Sequence, residues 1–145
     1  MSTQLDHRAE DVAQFFYDLT PQERRDRFGL PGGSTIDWLL ERIARDANRA
    51  AFAARFGGRV VGVLDFVYEE RDIEFGILVG SEFRRRGIGS ALVRLLLEAT
   101  CGSGMSLVAS CEHTNAPALR MLAKFGFRRR AQGRGTLWLG RPAEV

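Results

Sequence analysis

The stretch Asp72-Ile-Glu-Phe-Gly-Ile-Leu-Val-Gly80-Ser-Glu-Phe-Arg-Arg-Arg-Gly87-Ile-Gly-Ser-Ala-Leu-Val-Arg-Leu-Leu-Leu-Glu-Ala-Thr100 changes its hydrophobic period once, and that change decides the fold. Ile73, Phe75, Ile77 and Val79 alternate with Glu74, Gly76 and Leu78, the period of two of a strand. From Ile88 the apolar residues Ile88, Leu92, Leu95, Leu96 and Ala99 recur at three and four, with Ser90, Arg94 and Glu98 on the other face, so a helix is predicted. Between them lies a basic turn containing glycine. Such a turn leaves backbone N–H groups without partners at a helix N-terminus, and Gly87 and Gly89 let a bulky anion approach the main chain. Arg84, Arg85 and Arg86 add guanidinium groups suited to phosphate oxygens. The turn is expected to hold a phosphate or pyrophosphate. There is no Gly-x-x-x-x-Gly-Lys-Ser/Thr run, and Leu92 stands where the dinucleotide fingerprint wants its third glycine.

Arg84-x-x-Gly87-x-Gly89, preceded by a strand ending at Val79, resembles the acyl-CoA-binding motif of the GNAT superfamily of N-acetyltransferases. Further on, Asn115-Ala-Pro-Ala-Leu-Arg-Met-Leu-Ala-Lys-Phe-Gly-Phe127 resembles the family's other recurrent stretch, which begins with Asn after the fifth strand and ends in Gly-Phe. Two motifs in the right order are stronger than either alone. The resemblance implies that Arg84, Arg85, Arg86, Gly87, Ile88, Gly89 and Ser90 bind the CoA pyrophosphate. It also implies that the backbone of Ile77, Leu78 and Val79 pairs with the pantetheine arm and that Asn115 bonds to it; Asn115 is equally a good helix cap. Acetyl-CoA is then the acyl-donor cosubstrate.

One departure concerns the general acid. Many family members carry in this helix a Tyr that protonates the departing thiolate, and the aligned position here is Leu122; Tyr17 and Tyr68 lie outside the motif. A thiol pKa of about 8.5 still makes the thiolate a fair leaving group. For the base, an amine with pKa near 10.4 must lose a proton before it attacks a thioester. Glu74 is the candidate, as in several protein-lysine acetyltransferases that this sequence resembles there and around Thr20 to Phe28; it also fits a solvated strand carboxylate.

The chain has 145 residues, 45% hydrophobic and 27% charged, which suits one domain, 1–145, with a core needing no metal or disulfide. No apolar run reaches a membrane span and the first residues are polar, so a cytoplasmic protein without membrane contact is expected. Cys101, Cys111, His7 and His113 are too few and wrongly spaced for a usual zinc site, so no metal is expected. Cys111 and His113 would share a strand face, where a buried hydrophobic Cys is the simpler reading than a nucleophile pair. The net charge of +3 is mild. Arginine triplets at 84–86 and 128–130 lie apart from the acidic run of Asp65, Glu69, Glu70, Asp72 and Glu74, so one end is expected to attract anions and another a cationic amine.

Along the chain, residues 1 to 7 leave any opening strand short or missing. Val12, Phe15, Phe16 and Leu19 predict a helix, and Thr20-Pro21-Gln22-Glu23 reads as a capping box for a second, ending near Phe28-Gly29. After a break at Leu30 to Gly33, Ile36, Leu39, Leu40, Ile43, Ala44 and Ala47 form the apolar stripe of a third. Ala51 to Phe56 and Arg59 to Tyr68 predict a hairpin across Gly57-Gly58. Met105 to Glu112 predicts a buried strand, and Phe127 to Ala131 with Thr136 to Leu139 a final hairpin. The expected architecture is α/β or α+β, a GNAT-like, mixed, mostly antiparallel twisted sheet flanked by helices.

The reading is an N-acetyltransferase moving acetyl from acetyl-CoA to a primary amine, a protein lysine or a small amine, by direct attack in a ternary complex. A catalytically silent acyl-CoA sensor or interaction module is the alternative, and Leu122 favours it. Nucleic-acid binding through the arginine triplets ranks below both, because no stripe of bases with interleaved aromatics accompanies them. No acceptor-specific motif or signal of oligomeric state is present.

Overall fold

The computed structural model describes residues 2–5, 9–28 and 33–143. Their elements follow in the order β1 (Ser2–Leu5), α1 (Ala9–Tyr17), α2 (Pro21–Phe28), α3 (Gly33–Arg45), β2 (Arg49–Phe56), β3 (Arg59–Tyr68), β4 (Asp72–Val79), a 3-10 turn (Ser81–Phe83), α4 (Ile88–Thr100), β5 (Ser106–Glu112), α5 (Ala116–Lys124), β6 (Arg128–Gln132) and β7 (Thr136–Arg141). Seven strands among the described residues form one sheet in the order β1-β2-β3-β4-β5-β7-β6. Every pairing is antiparallel except that of β4 with β5. The mixed, mostly antiparallel sheet is as expected. The opening strand is short and present, paired with β2 from Ser2↔Arg55 to Leu5↔Phe52. His7 and the expected break at Leu30 to Gly32 lie outside the described residues.

Each face of the sheet buries its own core because strand side chains alternate. On one face Val12, Phe16, Ile36 and Leu39 from α1 and α3 cover Ala51, Ala53, Val63 and Leu78. On the other, Leu92, Leu96 and Leu122 from α4 and α5 cover Leu64, Ile73, Phe75 and Ala109. β3 therefore reads as a nearly unbroken apolar run, with Asp65 its one buried charge. The stripe expected on α3 ends early: Ala44 is exposed in the last turn of the helix, and Ala47 lies past its end in the turn into β2.

The Gly57-Gly58 turn has φ of 59° and 82°, the paired left-handed geometry of a tight hairpin. β7 inserts between β5 and β6, so the last hairpin docks by its second strand. No helix among the described residues is long and apolar enough to cross a membrane.

Candidate active site

The parallel ladder between β4 and β5 runs from Asp72↔Ser106 to Phe75↔Ala109 and stops, although β4 continues to Val79 and β5 to Glu112. Past Phe75 the sheet is split. The backbone groups that face the split follow from the phase of the β3–β4 ladder. Glu69 N–H donates to Asp72 O and Gly80 N–H to Val61 O, each at 2.8 Å. With the register Gly62↔Val79 to Tyr68↔Ile73 unbroken between them, residues 74, 76 and 78 exchange bonds with β3. The N–H and C=O groups of Ile77 and Val79 point the other way, into the split. Leu78 departs from the sequence expectation: its amide and carbonyl are directed at Val63, and its side chain is buried under α1 and α3.

Beyond β4, Ser81–Phe83 makes its turn, Arg85 takes φ of 65° and Gly87 φ of 77°, and α4 begins at Ile88. No side chain among the described residues caps α4. Its first intrahelical bond, Ala91 N–H to Gly87 O at 3.0 Å, leaves the N–H groups of Ile88, Gly89 and Ser90 as the open donors of the helix start. Arg84, Arg85 and Arg86 are exposed around them, Arg84 Nε donating to Val79 O at 3.3 Å and Arg86 lying over the Phe83 ring at 5.4 Å. A left-handed Arg85 is a conformation costing on the order of 1 kcal/mol, and it gathers the turn's cations around a helix N-terminus that already attracts anions.

The predicted capping box is present and does more than cap. Thr20 N–H donates to Glu23 Oε1 at 2.9 Å and Glu23 N–H to Thr20 Oγ1 at 3.1 Å, while Glu23 Oε2 accepts Ser81 N–H at 2.9 Å. Burial alone raises the Glu23 pKa, and the hydrogen bonds from Thr20 and Ser81 outweigh it, holding the carboxyl below its ordinary value.

Across the split, Asn115 caps α5, its Oδ1 accepting Ala118 N–H at 3.4 Å. That leaves its Nδ2 group to act as a donor. Leu122 is 1% exposed and belongs to the core. A Cβ on Gly89 would lie 3.6 Å from Met121, 3.8 Å from Val79 and 3.9 Å from Ile77, so Gly89 keeps the passage between α5 and β4 open. Cys111 is buried, and His113 lies past the strand end with Nδ1 2.9 Å from Gly135 O, so the two form no nucleophile pair. The Tyr17 hydroxyl bonds Asp37, which raises its pKa, and Tyr68 lies on the sheet face opposite Glu74.

Glu74 projects to the α2–α3 side, where it lines a cavity of about 270 Å³. Gly76 and Ser110, the next positions past the last paired residues, line it too, so the cavity reaches the split from the face opposite α4 and α5. Among the described residues nothing holds the Glu74 carboxylate by hydrogen bond or ion pair. Of the acidic run expected at the acceptor side, only Asp65 joins Glu74 there, and its charge is met by Arg27 Nη2 at 2.5 Å. Asp72 lies at the far end of β4, bonded by Ser106 Oγ at 2.7 Å. Sequence reasoning passed over Arg27, Trp38 and Arg49, which also line this cavity. Arg27 stands four residues after Glu23 and so shares its face of α2, the one local sign that this charged helix packs inward. A larger hollow of about 360 Å³ beside α1 is bordered by Asp11, Asp18, Glu23 and Glu82 and touches neither Glu74 nor the open amides. Its acidic rim is wrong for a phosphate.

A helix start with open N–H groups ringed by arginines, strand groups directed into a split and a cavity lined by a carboxylate lie together in one mixed sheet. Residues 11–127 match the Acetyltransferase (GNAT) family, and the chain belongs to it. It is 34% identical over 107 residues to the L-amino acid N-acetyltransferase AaaT of Escherichia coli, a match that covers 68% of this chain and 64% of that protein. The fold is similar to the GNAT domain of S. lividans PAT, with a TM-score of 0.82, 18% identity and coverage of 97% of this chain and 89% of that one. It is also similar to Campylobacter jejuni N-acetyltransferase PseH in complex with acetyl coenzyme A, with a TM-score of 0.70, 15% identity and coverage of 99% and 100%.

Proposed function

We propose that this protein transfers acetyl from acetyl-CoA to the primary amine of a small molecule by direct attack in a ternary complex, with Glu74 as the base. The observation that carries the reading is the split itself. The N–H and C=O of Ile77 and the N–H of Val79 face it from one strand, the donors of the α4 start stand at its end, and the cavity lined by Glu74 reaches it from the opposite face. Ile77 and Val79 bond the pantetheine amides as a neighbouring strand would, Asn115 Nδ2 adds a donor, and Arg84 to Arg86 with the N–H groups of Ile88, Gly89 and Ser90 hold the pyrophosphate.

Glu74 takes the amine proton, directly or through water, as nitrogen bonds to the thioester carbon. The N–H groups bordering the split polarise the carbonyl, the C–S bond breaks, and CoA leaves as a thiolate that takes its proton from solvent. With Leu122 buried, α5 supplies no acid. The E. coli relative, named for L-amino acids, supports a small acceptor over a protein lysine.

The test is calorimetric titration with acetyl-CoA beside an Arg84→Ala, Gly87→Ala variant, followed by thiol release with a panel of amines. Saturable binding lost in the variant, with amine-dependent thiol release, is expected. Binding without release from any amine would instead make the protein a silent acyl-CoA sensor.

A further inference from the structure

The cavity at Glu74 contains more charge than a proton acceptor requires. Arg27 and Arg49 both line it, and in each the Nε–H is buried without a hydrogen-bond partner among the described residues. Arg27 is engaged elsewhere, through Asp65. Arg49 forms an ion pair with Asp46, whose carboxylate lies 3.6 Å from Nε and too far to accept its hydrogen bond, and the guanidinium lies over the Trp38 ring at 5.0 Å with its side chain 17% exposed. A buried guanidinium N–H without a hydrogen-bond partner calls for an acceptor, and the planar fork of an arginine that lines a cavity suits a carboxylate.

The sheet register sets the spacing. Arg49 pairs with Val67 and Val67 with Glu74, so cation and anion share one row and one face, two strand spacings or roughly 10 Å apart at the backbone, with Val67 as the floor between them. With Asp65 matched by Arg27, the cavity presents one negative pole at Glu74 and one positive pole at Arg49. Its volume of about 270 Å³ lies below the roughly 300–1,000 Å³ of pockets for larger ligands. The complement of such a space is a small zwitterion.

We propose that the acceptor is an α-amino acid whose carboxylate is bound by Arg49, with Arg27 closing the cavity behind it, and whose amine faces Glu74. This rests on the transferase reading above. A lysine side chain or a polyamine brings no carboxylate and leaves the Arg49 Nε–H without an acceptor.

The test compares kcat/KM for L-amino acids, their carboxamides, the corresponding decarboxylated amines and a lysine-containing peptide. Acids are expected to exceed amides and amines by about 100-fold, since a site built for a polar group rejects analogues lacking it. Arg49→Gln should remove that preference through KM, and Arg49→Lys, which keeps charge without the planar fork, should restore part of it. Equal use of acids and amides, a preference for the peptide, or an Arg49→Gln loss that falls equally on acid and amide would overturn the proposal. If no amine releases thiol, the transferase reading fails separately. Titration of L-amino acids and their carboxamides into protein saturated with CoA then decides: acids binding and amides not would uphold the carboxylate site, and neither binding would refute it.

Discussion

Glu23 Oε2 accepts the backbone N–H of Ser81 at 2.9 Å, so a carboxylate on α2 fixes the first residue of the turn that leads to the α4 start. The same carboxylate closes the capping box of its own helix through Thr20. Replacing Glu23 by Ala removes both bonds and is expected to destabilise the protein by about 1–2 kcal/mol and to weaken acetyl-CoA binding by freeing the turn. Chemical denaturation and acetyl-CoA titration of the variant measure the two effects separately.

The same contact makes stability depend on acid. The folded Glu23 pKa lies below its ordinary value of 4.5, so its contribution is full above that value and is lost as pH falls through the lower folded value. The difference in Tm between wild type and Glu23→Gln is therefore expected to be constant near neutrality and to shrink below about pH 4.5, as a thermal melt series shows. A gap that widens in acid contradicts the assignment.

Gly87 and Gly89 separate backbone strain from ligand space. Gly87 has φ of 77°, so Gly87→Ala is expected to cost about 1–2 kcal/mol with or without ligand. Gly89 has no such constraint, and an added methyl group meets Met121, Val79 and Ile77 only at ordinary contact distances. Gly89→Ala should therefore leave Tm within about a degree while raising the acetyl-CoA Kd at least about tenfold, because the methyl stands in the passage between β4 and α5.

Glu74→Gln keeps the shape of the cavity and removes the proposed base. Turnover at pH 7 is expected to fall roughly 10²- to 10⁴-fold with acetyl-CoA affinity unchanged. Steady-state thiol release and calorimetry report these independently, and unchanged turnover takes Glu74 out of the mechanism.

Arg27 and Asp65 form an ion pair with side chains only 15% and 6% exposed. Arg27→Met leaves Asp65 buried and unpaired and is expected to cost about 3 kcal/mol, whereas Arg27→Met with Asp65→Leu recovers most of that loss. Gly76→Ala tests the same contact from the strand, since its Cβ would fall 2.1 Å from Arg27 Cζ and force the guanidinium away. Urea denaturation of wild type, Arg27→Met, Asp65→Leu and the double variant completes the cycle, with Gly76→Ala measured beside them.

Much of the donor side was legible because its signals are local. The change of period at Ile88, the glycines of the turn, the Thr20–Glu23 box and the Asn115 cap each depend on residues within a few positions of one another, and each is found where expected. The acceptor side was not. Arg27, Trp38 and Arg49 come from three elements and meet Glu74 only through the sheet register and the packing of α2 and α3, which leave no short-range pattern. Leu78 was misread for a related reason: the alternating run of β4 shows which residues share a face, but the direction of each amide depends on the phase of pairing with β3. The placement of β7 between β5 and β6 is likewise a long-range choice.

The split between β4 and β5 offers its bonds from the main chain, and a main-chain bond does not depend on which side chain the residue carries. Ile77 and Val79 can exchange for other β-branched residues with little expected effect on the donor, whereas Val79→Pro deletes the N–H itself. In the proposed reading, recognition of the donor is thereby insulated from ordinary substitution along this strand, while the cavity lined by the side chains of Arg27, Trp38 and Arg49 can be altered one residue at a time.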